Sequence, residues 1–191
     1  TGTTSTWTVT SVPAGGNAGD IVFSAPSSGT SNVTVNPSAV GGNYTLTWTV
    51  TNAPCVSAVA SLTLTVVEAP PAASVGSNQS VCAGSISSGL GGNNPAPSTG
   101  QWTVTSVPGG GNANDIVFTN ASAQNTTVTV NASAIVGNYT LTWTIAATGP
   151  CPSTNDNLTL TVVGQASPAS VGVNQTICQG ATSLGLAGSA P

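Results

Sequence analysis

The octapeptide GNYTLTWT is written twice, as Gly42–Thr49 and as Gly137–Thr144, 95 positions apart (137 − 42 = 95). It sits inside a longer match. Residues 6–50 align without a gap to residues 101–145, and roughly two-thirds of the aligned positions are identical, among them Trp7/Trp102, Asp20/Asp115, Tyr44/Tyr139 and Trp48/Trp143. A match of this length, kept in register, calls for copies of one module that fold alike. After Trp48 the second copy gains one residue, so Cys55 aligns with Cys151 at an offset of 96 (151 − 55 = 96). SVGSNQSVC (Ser74–Cys82) matches SVGVNQTIC (Ser170–Cys178) at the same offset. Such a period suits one small domain and exceeds the ~20–50-residue unit of a solenoid.

EAPPAA (Glu68–Ala73) and GQASPA (Gly164–Ala169) fall at equivalent places, are rich in Pro and Ala, and read as linkers. The expected organisation is the C-terminal part of one repeat over 1–70, a complete repeat over 72–167, and the N-terminal part of a third over 168–191. Thr1–Thr10 has neither a basic start nor an apolar run. It reads as the middle of a strand, so the chain is expected to be part of a longer polypeptide.

Each repeat is patterned for strands. In YTLTWTV, Tyr44, Leu46, Trp48 and Val50 alternate with Thr45, Thr47 and Thr49. Successive side chains of a strand point to opposite faces, so the segment predicts a half-buried strand. LTLTVV (Leu62–Val67, Leu158–Val163) alternates likewise; WTVTSV, DIVF and VTVN supply shorter strands between Gly- and Pro-rich turns. No window shows a helical period. About seven short strands in ~95 residues predict an all-β fold of tandem immunoglobulin-like antiparallel β-sandwich domains. The Tyr of GNYTLTW stands where such a sandwich turns a hydroxyl back onto the main chain at a corner.

Four cysteines allow three pairings. The complete repeat contains Cys82 and Cys151, which predicts a Cys82–Cys151 disulfide, with Cys55 and Cys178 pairing outside the chain. A Cys55–Cys82 staple between neighbouring domains is the disfavoured rival. A loop of about 70 residues closed in this way is worth roughly 4 kcal/mol in the chain-entropy model. A structural disulfide implies an oxidising, extracellular setting.

The chemistry that is missing narrows function further. There is no Lys, Arg, His or Met, and the only acids are Asp20, Glu68, Asp115 and Asp156. At 2% charged residues the chain lies far below the ~25% of ordinary soluble domains. No cation is present to neutralise phosphate, so nucleic acid is excluded as a partner and anionic membrane surfaces are disfavoured. No stretch approaches the ~18 apolar residues of a spanning helix. Ser and Thr abound, but no base stands ready to activate them, so no catalytic residue, no cofactor and no enzyme activity are expected. Asp20 and Asp115 recur in NAGD and NAND. A weak calcium site there is open, but an Asp capping a turn is the preferred reading.

The succession SVGxNQ(S/T)(V/I)C, GxWTV, GNYTLTWT, PC and LTLTVV resembles the Ig-like or PKD-like tandem repeats of very large Bacteroidota surface proteins, including gliding-motility adhesins exported by type IX secretion. The WDFGDG-like motif of many PKD domains is absent. The resemblance implies a secreted stalk or filament at the outer bacterial surface; its expected partners are neighbouring repeats of the same chain, with lateral self-association as a further expectation, and the ligand of its tip is left open. The competing expectation is a carbohydrate- or ice-binding module using exposed Trp, or the Thr-x-Thr arrays of Thr45, Thr47, Thr49 and Thr63, Thr65. The position of the four Trp residues discriminates: burial favours the stalk, an exposed coplanar row favours sugar binding.

Overall fold

The computed structural model describes residues 2–147 and 149–190. The first copy forms strands β1 (Thr4–Ser11), β2 (Ile21–Phe23), β3 (Val33–Val35), β4 (Gly42–Thr51) and β5 (Ala58–Val66). The second forms β6 (Gln79–Cys82), β7 (Thr99–Ser106), β8 (Ile116–Phe118), β9 (Val128–Val130), β10 (Gly137–Ala146) and β11 (Thr154–Val163). Two compact units result: Thr1–Ala73 with Pro95–Gly100 and Thr144–Thr154, and Ser74–Asn94 with Gln101–Trp143 and Asn155–Pro191.

In the first unit β1, β4 and β5 make a three-stranded antiparallel sheet, and β2 pairs with β3. The alternation of YTLTWTV is realised directly: Tyr44 and Leu46 are buried with Ile21, and Trp7, Val9, Phe23, Val33 and Leu64 pack against them.

The complete copy builds the fuller structure. One sheet runs β6-β11-β10-β7. The other pairs β8 with β9, and residues 84–90 run along the free side of β9 through Gly84 N–H to Val130 O (3.0 Å), Val130 N–H to Ser85 O (2.9 Å), Ser87 N–H to Val128 O (2.9 Å) and Leu90 N–H to Thr126 O (2.9 Å). Six strands and this extended segment give the seven runs expected of an immunoglobulin-type sandwich. Between the sheets lie Trp102, Tyr139, Leu141, Trp143, Ile145, Leu158, Leu160, Val128 and Val130, all essentially inaccessible to water. One pair departs from the antiparallel expectation. β6 runs parallel to β11, with Gln79 beside Leu160 and Cys82 beside Val163.

The two copies show what an added strand does to one sequence. β11 is an inner strand, covered by β6, and its Leu158 is 0% exposed. β5 carries the same LTLTVV pattern but lies at a sheet edge, and its Leu62 is 47% exposed.

Residues 170–189 reproduce the local fold of 74–93 without forming strands. Gly172 N–H bonds Leu186 O as Gly76 N–H bonds Leu90 O, and Ser189 N–H bonds Ser170 O as Asn93 N–H bonds Ser74 O. Gln175 holds Leu184 N–H as Gln79 holds Ser88 N–H. Leu186 is nevertheless 72% exposed, against 0% for its counterpart Leu90, because no facing sheet covers it.

Candidate functional site

The corner preceding β10 is a densely bonded polar site. Asn112 and Asp115 bracket a single 3-10 turn, Ala113–Asp115. The Asn112 side chain accepts from Asn114 N–H (2.9 Å), while Asp115 Oδ2 accepts from Asn112 N–H (2.9 Å). This reciprocal arrangement is a capping box; each side chain satisfies a main-chain donor that the short helix leaves open. Into the same carboxylate the buried Tyr139 hydroxyl donates (2.9 Å), and Ile135 O lies 3.1 Å from that hydroxyl. The first copy repeats the site with Asn17, Asp20, Tyr44 and Val40 at 2.8–3.1 Å. The tyrosine corner is thus present in both copies, and Asp20 and Asp115 serve as turn caps that also receive a phenol. Among the described residues no three His, Cys, Asp or Glu side chains gather as a metal site would require.

Gly137 lets the chain enter this corner. Its φ of +138° is a conformation L side chains rarely adopt, and a Cβ there would lie 2.8 Å from Pro108 Cβ. Gly42 and Pro13 repeat the contact.

Burial, then the hydrogen bond and charge of Asp115, push the Tyr139 phenol up to about 12 from an ordinary 10.0, and burial with Asp20 raises Tyr44 likewise. The folded state therefore holds protons that the unfolded chain releases. Its advantage is complete below pH 10 and is lost as pH rises through about 12. Titration of phenolate absorbance is expected to show no step at pH 10 in the folded protein and an ordinary step in denaturant. A folded-state midpoint at 10 would contradict the corner.

The outward face of each sheet carries a second polar device. Thr142 Oγ1 shares a hydrogen bond with Thr105 Oγ1 (2.7 Å) and donates to Asn157 Oδ1 (2.6 Å), joining β7, β10 and β11. Thr10, Thr47 and Ser61 join β1, β4 and β5 in the same way, at 2.8 Å each. Thr47 and Thr142 are buried by their neighbours, so the Thr-x-Thr row read as outward-facing is interrupted at its centre. In a chain without cations, cross-strand hydroxyls take the place that ion pairs hold on other sheets.

The tryptophans face inward. Trp102 and Trp143 are 1% and 0% exposed and pack as a tilted pair with centroids 5.3 Å apart. Trp7 and Trp48 form the matching pair at 5.2 Å and are half-buried. Trp102 Nε1–H reaches Gln124 O (3.1 Å), whereas buried Trp143 Nε1 has no partner. No exposed coplanar row of Trp exists.

The expected Cys82–Cys151 disulfide is corrected by the direction of β11. Cys82 lies beside Val163 at the end of that strand, and Cys151 precedes its start at Thr154. Nine residue steps along β11 (163 − 154 = 9) at ~3.3 Å each put roughly 30 Å between those ends, against a Cα separation below ~7 Å in a disulfide. All four thiols are free. Cys55 does not bond Cys82 either.

No family model matches the chain, and no curated protein matches it. Among solved structures it is similar to the human protocadherin-24 EC1-2 fragment (15% identity, TM-score 0.40, covering 86% of this chain and 83% of that one). It is also similar to the titin I-band fragment I67-I69 (16%, 0.42, 86% and 55%) and to murine CEACAM1b (14%, 0.36, 84% and 85%).

Proposed function

We propose that the chain is a segment of a stalk or filament of a large secreted bacterial cell-surface adhesin, built of tandem Ig-like repeats that hold an adhesive or motility-related tip away from the cell. The domains are those expected above: part of a repeat over 1–70, a complete one over 72–167 and the start of another over 168–191. The observation that carries this reading is the parallel pairing of β6 with β11. These are the first and last strands of the complete repeat. Tension on its two ends pulls neighbouring parallel strands in opposite directions, so their hydrogen bonds are sheared together instead of opened one by one. Ala83 N–H to Val163 O (2.9 Å) is one of these bonds.

Supporting it, the conspicuous side chains are consumed internally: Trp in the core, Tyr and Asp at the corner, Thr across the strands. Among the described residues no helix is long and apolar enough to cross a membrane. The setting is extracellular, at the outer bacterial surface, and the partners are neighbouring repeats of the same chain.

Single-molecule stretching tests this. Under reducing conditions the complete repeat is expected to rupture in one step, lengthening the chain by roughly 300 Å (about 96 residues at ~3.6 Å less the folded length). Ala83→Pro removes a donor from the sheared pair and is expected to lower the rupture force. Gradual extension without a rupture peak, or a force indifferent to Ala83→Pro, would sink the mechanical reading.

A further inference from the structure

Cys151 lies in the turn between β10 and β11, and its thiol donates to the main-chain oxygen of Val67, Sγ to O 3.6 Å. Gly149, at a φ of +79° that L side chains rarely adopt, shapes this turn beside the Val67 side chain. Both Cys151 and Val67 belong to the first compact unit.

Val67 closes LTLTVV in the first copy, and Val163 closes it in the second. Val163 has Cys82 as its strand neighbour, and its carbonyl accepts from Ala83 N–H (2.9 Å). The same position of the repeat therefore touches a first-strand cysteine in one copy and a turn cysteine from the following copy in the other. Its carbonyl accepts a hydrogen bond in both. Cys82 is exposed, and its thiol is in no disulfide. A copy with both its own first strand and a successor would bring the two kinds of cysteine to this one position. The first-strand Cα stands ~4.8 Å from its strand neighbour, the residue whose counterpart in the first copy accepts the turn thiol.

We propose that the first-strand cysteine of each repeat forms a disulfide with the turn cysteine of the next repeat. The bond staples consecutive modules and is not internal to one. The proposal rests on the tandem reading above. It accounts for four free thiols in this chain. By the repeat period, the partner of Cys151 precedes residue 1, and the partner of Cys82 follows Cys151 by 96 positions. Cys55 is a turn cysteine and Cys178 a first-strand one, and neither has its counterpart within residues 1–191.

The bond forms by thiol–disulfide exchange with a small-molecule disulfide such as oxidised glutathione. One protein thiolate attacks it and releases one glutathione thiolate. The second protein thiolate attacks the mixed disulfide and releases the other. Two protons and two electrons pass from the cysteine pair to yield two reduced glutathiones.

The test compares the chain with the same chain preceded by a copy of its own residues 73–95, which restores the missing first strand in register with Thr1. Both are folded in a glutathione redox buffer, thiols are counted in denaturant, and chymotryptic peptides are mapped without reduction. The chain itself is expected to keep four thiols. The lengthened chain, with five cysteines, is expected to keep three and to yield one linked peptide pair, the added cysteine with Cys151. Cys151→Ser in the lengthened chain is expected to leave all four remaining cysteines free. Val67→Cys in the original chain gives a second check, because it sets a thiol against Cys151 without added sequence and is expected to cross-link. Five thiols in the lengthened chain with no cross-link in Val67→Cys, or a Cys82–Cys151 bond in either chain, overturns the staple. Rupture in single-repeat steps without any bridge would defeat the staple and leave the stalk reading standing.

Discussion

Trp143→Ala is expected to destabilise the complete repeat by about 3–5 kcal/mol, the range for deleting a fully buried aromatic side chain. The indole is 0% exposed, faces Trp102 at 5.3 Å, and is covered by Gly92, where an added Cβ would press the ring at 3.1 Å. Its Nε1 has no partner to lose, so the whole cost is packing. Trp48→Ala deletes the same residue of the same octapeptide at a half-buried position, and is expected to cost clearly less, about 1–3 kcal/mol on the area removed from water. Urea denaturation of each variant, followed by circular dichroism, measures the difference as a shift in midpoint at unchanged slope. Equal losses would show that Trp burial does not decide the stability of the two copies.

Tyr139→Phe keeps the ring and removes one oxygen. The phenol is the donor shared by Asp115 Oδ2 (2.9 Å) and Ile135 O (3.1 Å), on a tyrosine that is itself fully buried. Hydrogen bonds to a charged group are worth about 1.5–3 kcal/mol, and that is the expected loss. Asp115→Asn keeps an oxygen that accepts from Asn112 N–H and from the phenol, so a smaller loss is expected. The double variant should lose less than the sum, because both changes break one bond. Additive losses would mean that the phenol and the carboxylate act independently, against the geometry. Tyr139→Phe should also delete the phenolate step near pH 12.

Much of this was legible in the residues. The Tyr of GNYTLTW announced the corner, and the alternation of YTLTWTV announced which side chains face inward. The Asp partner of the tyrosine was missed, although its signal was present: each Asp lies 24 residues before its Tyr and closes an Asn-x-x-Asp box. Strand alternation alone puts Thr47 outside, in the Thr-x-Thr row. Whether an outward hydroxyl meets water or another hydroxyl depends on which strands flank it.

The cysteines mark the boundary most clearly. Their recurrence places one cysteine of each kind in the period of a copy, which predicts a bond within the copy. The sheet decided otherwise, because β6 runs parallel to β11 and carries Cys82 to the end of that strand remote from Cys151.

By itself, the sequence determined the module, its period, its strands and the inward set of Tyr, Leu and Trp, since these follow from local periodicity and turn chemistry. Only the tertiary structure decided the direction in which first and last strands meet, which hydroxyls pair, and where each thiol lies. Those depend on contacts between residues some eighty positions apart, which no local pattern encodes.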